Sequence, residues 1–186
     1  MEIYVLLGVL ALIIIIGIWF AASYNGFVTI KNRVEEAFAT MDVFLKKRYD
    51  LIPNLVETVK GYASHEAETL NRVVQARNMA SGAATIEDKQ RLEGDFANTL
   101  KSLFAVVENY PNLKADQQFL NLQDQLTGIE GEIANARKYY NAVVKTFNTM
   151  CETFPSVIIA GVFGFKAKPY FEVDEESERK NVKVSF

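Results

Sequence analysis

One uncharged run constrains this chain before anything else does. Val5 to Ala22 reads VLLGVLALIIIIGIWFAA, eighteen residues without a charged side chain, the length at which an apolar stretch becomes a transmembrane candidate. With Ile3, Tyr4, Ser23 and Tyr24 added it extends about 33 Å at 1.5 Å per residue, enough to cross a hydrocarbon core of about 30 Å. Nothing else in the sequence matches it. The chain therefore reads as one anchor and a polar remainder of a single domain's size. Ala21-Ala22-Ser23 satisfies a small-x-small cleavage pattern, but the apolar run is longer than a signal peptide's, and only Glu2 precedes it where Lys or Arg would stand. A retained anchor is expected. Lys31 and Arg33 follow the run, then Lys46, Lys47 and Arg48, whereas the amino side carries only its terminal amine. Excess Lys/Arg marks the cytoplasmic side, so the expected placement is single-pass, with the amino terminus outside and the domain cytoplasmic.

The charge balance excludes some classes of partner. The 186 residues carry 23 acidic and 20 basic side chains, intermixed, for a net charge of −3. A nucleic-acid partner needs a basic face, and strong anionic-lipid recognition needs a Lys/Arg cluster beside the anchor; neither is present. The single cysteine, Cys151, excludes an internal disulfide and a cysteine-based zinc site.

After the anchor, Ser23-Tyr24-Asn25-Gly26 carries an Asn-Gly turn signal and predicts a short hinge. Trp19 and Tyr24 suit an interfacial aromatic belt or simple lipid-facing filler. From Phe27 the pattern is helical: Val34, Phe38, Met41 and Leu45 recur at steps of four and three, widened by Ile30, Ala37 and Phe44. Pro53 interrupts it. Either one helix ends near Leu51 and another begins near Pro53, or a single helix kinks there. The apolar stripe resumes in near-register at Leu55, Val59, Tyr62 and Leu70, but one helix to about Ala80 would run roughly 80 Å, and a tight break is favoured. The second helix runs to about Met79. Ser81–Thr85 is a loop, with Thr85 as N-cap and Asp88 in capping-box position. Leu92, Phe96, Leu100, Leu103 and Val107 mark the next helix, ending near Pro111. Phe119, Leu122, Leu126, Ile129, Ile133, Ala136, Tyr140, Val143, Phe147, Met150 and Phe154 form a heptad seam, ended by Pro155. Val157 to Phe165 is apolar but too short to span; it packs over one end of the bundle or dips into the membrane interface. Tyr170–Val173 and Val182–Phe186 alternate as strands do, separated by the solvated run Asp174-Glu175-Glu176.

The predicted fold is all-α: an N-terminal transmembrane helix, an antiparallel up-and-down four-helix bundle, and a short apolar, strand-like C-terminal tail. An intermolecular coiled coil is the alternative use of the seam. The predicted division is 1–26 anchor and hinge, 27–155 bundle, and 156–186 tail.

Catalytic motifs are missing: no G-x-S-x-G, Walker loop or G-x-G-x-x-G occurs. A di-iron bundle needs Glu-x-x-His twice, and there is one histidine, His65. With Glu66 and Glu68 it suggests a surface metal or proton-transfer role; an exposed or capping histidine is the plainer reading. Cys151 reads as a core or boundary residue. Arg48, Arg77 and Arg137 lie beside seam positions, placed to pair with Glu35, Glu57 or Glu130 across helices and so fix register. The terminal Val184-Ser185-Phe186 is of a kind that strand addition captures, although a strand packed on its own bundle is the favoured reading.

These residues add up to a recognisable set. Tyr24-Asn25-Gly26 follows the anchor; then come Arg48-Tyr49-Asp50-Leu51-Ile52-Pro53-Asn54-Leu55-Val56, Tyr62-Ala63 with His65-Glu66, Ala76-Arg77, Tyr110-Pro111, the Glu132/Arg137/Tyr140-Asn141 stretch, Phe154-Pro155 and Gly161–Phe165. The chain closely resembles the LemA family of bacterial membrane proteins over essentially its whole length. The resemblance implies a four-helix bundle behind one transmembrane helix, a break at Pro53 and no established catalytic activity, cofactor or metal. The expected function is a non-enzymatic membrane-anchored scaffold or adaptor for other membrane proteins. The expected interaction surface is Arg48, Tyr49, Asp50, Pro53, Asn54 and Phe186. A self-assembling membrane-organising homo-oligomer is the alternative, and a metal-dependent enzyme using His65 the third reading.

Overall fold

The computed structural model describes residues 1–172, and among these every regular element is helical. In chain order they are α1 (Glu2–Tyr62), α2 (Ala67–Ser81), α3 (Ile86–Val107), α4 (Pro111–Lys114), α5 (Gln117–Glu152) and α6 (Ser156–Phe163), with a 3₁₀ turn at Ser64–Glu66 between α1 and α2. Among the described residues the chain divides into two compact units, one of residues 1–39 with 138–170 and the other of 40–137 with Phe171 and Glu172.

In the first unit, α1 opens with the apolar anchor, long and apolar enough to cross a membrane and with none of its most apolar window buried in the protein. The helix continues without interruption through Asn25-Gly26, so the expected hinge forms no turn. The reason lies in packing. Asn25's carbonyl accepts from Thr29 Oγ1 at 2.9 Å, inside the helix. A Cβ at Gly26 would stand 3.6 Å from Met150 Cε, so the glycine keeps that face of α1 low where α5 lies against it. Phe27 is fully buried, stacked on Phe165 with centroids 4.7 Å apart and edge-on to Phe147 at 6.0 Å.

After α5 the Phe154–Pro155 peptide is cis, and Ser156 Oγ donates to the Met150 carbonyl at 2.8 Å as α6 starts. Gly164, at φ +71°, ends α6 in the left-handed conformation that glycine adopts without a Cβ penalty. Phe165 N–H then reaches the Ala160 carbonyl at 2.9 Å, as in a Schellman cap. The strand expected over Tyr170–Val173 is not formed in its described part, Tyr170–Glu172. A strand needs a neighbouring backbone, and just upstream a side chain takes that place: Asn148 accepts from Lys168 N–H at 2.8 Å and donates to the Lys168 carbonyl at 2.9 Å. Tyr140 Oη donates to the next carbonyl, Pro169, at 3.0 Å. The other expected strand, Val182–Phe186, and the acidic run before it lie outside the described residues.

In the second unit, buried Met41, Leu45, Ile52, Leu55, Val56 and Val59 line α1, facing a core that includes Val73 of α2, Leu92, Phe96, Leu100 and Leu103 of α3, and Phe119, Leu122, Leu126 and Ile133 of α5. α2 and α3 pack against one another as consecutive helices. Thr85 caps α3 as its sequence predicts: its hydroxyl accepts from Asp88 N–H at 3.0 Å and donates to the Asp88 carboxylate at 2.9 Å. Asp116 does the same for α5 by accepting from Phe119 N–H, and its other oxygen accepts from Tyr62 Oη, each at 2.9 Å. These two donors hold the Asp116 carboxyl below its ordinary range.

The helix break expected at Pro53 stands ten residues later, at Ala63, so α1 runs through the proline. A helix pays for an internal proline with a lost hydrogen bond, because Pro has no N–H for the carbonyl four residues earlier. Here that carbonyl belongs to Tyr49, and Arg77 Nε of α2 donates to it at 3.1 Å. The same guanidinium reaches Asn78 Oδ1 at 3.1 Å and lies 3.7 Å from Asp50. A side chain from the neighbouring helix thus replaces the missing donor, and continuity survives.

This substitution of one donor for another makes the two positions interdependent. Arg77→Met should lower unfolding stability by about 1–3 kcal/mol, the cost of stranding a partly buried acceptor. In a Pro53→Ala background, where residue 53 regains its N–H, the same replacement should cost clearly less. Urea denaturation of the four variants measures the coupling.

Candidate functional site

The densest polar cluster lies in the second unit, where α1, α2, α3 and α5 each contribute charge. On α1 the seam Met41, Leu45, Arg48, Ile52, Leu55, Val59 keeps steps of four and three through position 48, so a helical Arg48 is turned into the core, where it is only 4% exposed. On α3 the seam Leu92, Phe96, Leu100 is extended toward its start by Glu93 and Lys89, both buried.

Arg48 is held from two sides. One terminal nitrogen donates to both oxygens of Glu130, at 2.9 and 3.1 Å, and the other donates to Glu93. Tyr49 Oη donates to the second Glu93 oxygen. The Arg48 guanidinium also stands over the Phe96 ring, 4.9 Å from its centroid, a cation–π arrangement. Arg48 Nε is buried without an acceptor among the described residues. Glu93 is as buried as Arg48, whereas Glu130 is nearly half exposed and closes the cluster toward solvent. Beside this trio, Lys89 pairs with Asp42, and an open cleft of about 310 Å³ is lined by Asp42, Lys46, Tyr49, Asp50, Arg77, Ser81 and Lys89.

The chemistry of these groups follows from their partners. Burial pushes the Tyr49 phenol up to about 12, against smaller opposing pulls from Arg48 and Arg77. It therefore remains a protonated donor through the physiological range and does not serve as a base. Glu93 accepts from Arg48 and Tyr49 at once, and both oxygens are engaged. The cluster resembles a registry device, in which buried charges tolerate one arrangement of helices and penalise others.

Of the residues expected on the interaction surface, the structure brings Arg48, Tyr49 and Asp50 to this cluster and its cleft. Arg48 and Tyr49 are each 4% exposed, on the inward side of α1. Asp50, Pro53 and Asn54 are exposed. Phe186 lies outside the described residues. Arg48 makes the expected pairing with Glu130, while Arg77 takes the Tyr49 carbonyl and Asp50, Glu57 pairs with Lys60, and Glu35 with Lys31 and Lys168. The sequence reading missed Glu93, Lys89 and Asp42. A signal existed for the first two: charged residues at i and i+4 on the same face as Phe96 and Leu100 imply buried partners.

His65 is exposed in the 3₁₀ turn. Glu66 accepts from Tyr110 Oη at 3.3 Å, and Glu68 pairs with Arg72 at 3.2 Å. Among the described residues no group of three or more His, Cys, Asp or Glu is placed to hold a metal. Cys151 is half-buried, and burial with the adjacent Glu152 pushes its thiol up, away from the reactive thiolate.

Two outcomes test this reading of the cluster. Glu93→Leu, which removes Arg48's buried partner, should destabilise by about 3–5 kcal/mol, and the combined Arg48→Met, Tyr49→Phe, Glu93→Leu variant should be the more stable of the two, as chemical denaturation reports. Because the folded-state pKa of Tyr49 is raised above its unfolded value of 10.0, its contribution is complete below pH 10 and is lost as pH climbs toward about 12. Tyr49→Phe should flatten the fall in stability across that alkaline window.

Comparison with known proteins places the chain. The model of the LemA family matches residues 37–186, so the anchor lies outside the matched part, a narrower extent than the whole-chain resemblance implied. Magnetosome protein MamQ 2 of Paramagnetospirillum magneticum is 26% identical over 175 residues, covering 80% of this chain and 64% of its own length. Magnetosome protein MamQ of Magnetospirillum gryphiswaldense is 25% identical over 174 residues, with the same coverage. This chain therefore spans a little less than two thirds of the length of those relatives. Protein LemA of Metamycoplasma hominis is 25% identical over 185 residues, covering 95% of this chain and 82% of its own length. With the family model spanning most of its residues, the chain belongs to the LemA family.

Proposed function

We propose that this LemA-family chain is a single-pass membrane-anchored scaffold or adaptor that binds and organises other membrane proteins, with its amino terminus outside and its helical domain in the cytoplasm. The observation that carries this reading is the state of its ionisable groups. The densest charge cluster is spent on internal partners, Arg48 on Glu93 and Glu130, Lys89 on Asp42, Arg77 on the Tyr49 carbonyl. Charges so engaged fix helix register and leave the neighbouring surface shaped. The domain is read as an up-and-down four-helix arrangement, which the seam of α5 supports through buried Phe119, Leu122, Leu126, Ile133, Ala136, Tyr140, Val143 and Phe147. The relatives named as magnetosome proteins support a role alongside other proteins. Exposed Asp50, Pro53 and Asn54, beside the cleft, form the proposed contact surface. The anchor supports the role because membrane confinement raises the effective concentration of a membrane partner.

Capture from detergent-solubilised membranes should recover a defined set of partners with the full chain and lose them with an Asp50→Arg, Asn54→Arg variant that keeps its helical circular dichroism. Recovery of the same set by the anchor alone would overturn the proposal.

A further inference from the structure

The first unit carries an apolar surface that its own core does not use. From Thr153 to Phe165 the chain has no charged residue, and its stretch of 13 residues is bounded by Glu152 and Lys166. An apolar run of 10–14 residues is too short to span a bilayer and belongs in a core, a re-entrant segment or an interfacial one. α6 divides accordingly. Ile159 and Ala160 are buried, while Phe154, Val157, Ile158, Val162 and Phe163 are exposed, Phe154 by 82% and Val162 by 63%. Val157, Ile158 and Val162 fall within one side of α6, with Phe154 just before the helix and half-exposed Phe163 at its edge beside α1, and exposed apolar patches of this kind mark interaction sites.

The position of the patch identifies what covers it. Phe163 lies against α1 at Tyr24, with centroids 4.5 Å apart, and at Phe20, 5.7 Å apart. Both rings belong to the uncharged part of α1, which reaches from Ile3 to Ile30 before Lys31 introduces the first charge. About 28 residues at 1.5 Å each extend some 42 Å, the thickness of a bilayer with its headgroup layers. Phe20 and Tyr24 stand in the second half of that stretch, toward its Lys31 end, and Phe163 with them. The exposed face of α6 is thus continuous with the anchor's own apolar surface. Trp19 and Tyr24 are of the kind that concentrates where acyl chains meet headgroups, and exposed Phe154 and Phe163 are of the kind that interfacial helices bury at that boundary. Lys166 and Lys168 follow, flanking the apolar run as the cationic side chains of interfacial segments do.

We infer that α6, with Phe154, is a second membrane-contacting element, seated in the headgroup–acyl boundary of the same leaflet in which the anchor emerges, with lipid rather than protein as its occupant. The inference rests on the anchor crossing a bilayer. The two contacts make the first unit a two-point attachment, in which α6 limits the angles the unit can take at the membrane surface.

The test uses the full chain in phosphatidylcholine vesicles with lipids brominated at shallow or deep acyl positions, which quench tryptophan on contact. Wild-type protein reports Trp19, its one tryptophan. Trp19→Phe combined with Ile158→Trp or with Val162→Trp reports α6, and with Gln123→Trp reports exposed α5 as a control. The expected result is blue-shifted emission at 158 and 162 that shallow bromines quench more than deep ones, against unquenched, red-shifted emission at 123. Red-shifted, unquenched emission at 158 and 162 while Trp19 is quenched overturns the inference and leaves the anchor standing. Blue-shifted but unquenched emission overturns it in favour of a protein cover, such as a second copy. Unquenched Trp19 overturns the anchor itself. Because Ile158 and Val162 are exposed, both variants should keep wild-type helicity.

Discussion

A proline inside a helix leaves one carbonyl without its donor, and the second unit of this protein is arranged around supplying another. Tyr49 has the carbonyl, Pro53 the missing N–H, and Arg77 the replacement. The consequence for the chain path is large. α1 can present one uninterrupted seam from Met41 to Val59, because the interruption is repaired from outside. The repair also ties α2 to α1 at a chosen height, since a guanidinium that must reach a given carbonyl leaves α2 little freedom to slide. The helix ends instead at Ala63, where Tyr62 is fastened to Asp116 and the 3₁₀ turn begins.

One residue before Tyr49, Arg48 imposes a second constraint of the same type. A buried guanidinium costs several kcal/mol of lost hydration, offset only by close partners. Glu93 and Glu130 come from α3 and α5, so satisfying one side chain of α1 aligns three helices. The trio contributes little net stability by comparison with well-packed hydrocarbon. What it contributes is discrimination, because a one-turn slip of any of the three helices would bury an unpaired charge. Phe96 beneath the guanidinium and Tyr49 beside it hold the Arg48–Glu93 pair away from water, while Glu130 faces it.

Helix existence was legible in the sequence wherever a seam was long. A helix over Gln117–Glu152 with its seam buried from Phe119 to Phe147 save half-buried Ile129, the Thr85 cap and a helix end before Pro111 appear where the pattern put them, whereas Phe154, expected at the seam's end, lies beyond the helix and exposed. The helix boundary at Pro53 was not legible, because local propensity says that proline breaks helices and the compensating donor lies 24 residues away on another element. The register on either side of Pro53 did hold the clue: 48, 52, 55 and 59 continue one stripe without a phase change. Asn25-Gly26 misled for a similar reason. The pair is a turn signal in isolation, but in the structure the glycine serves a close approach to Met150. For the charge cluster, Arg48 and Glu130 are visible in the sequence as pairing candidates, whereas Glu93 is not, because glutamate is rarely buried unless paired and its partner lies 45 residues away on another helix. The strand-like alternation near Tyr170 failed on a matter of supply, since pairing needs a neighbour and the backbone there found a side chain.

That side chain carries a consequence of its own. Asn148 meets Lys168 as an adjacent β-strand would, taking its N–H and giving to its C=O, so a single amide stands in for a sheet. Few residues can play this part. Aspartate matches the shape but has nothing to give, leucine matches the volume but neither gives nor takes, and glutamine has both groups on a stem one carbon too long. Position 148 is therefore a lock with a one-letter key. Through it the chain leaving α6 is threaded along α5 at a fixed reading frame, as surely as a zipper is started by its first tooth.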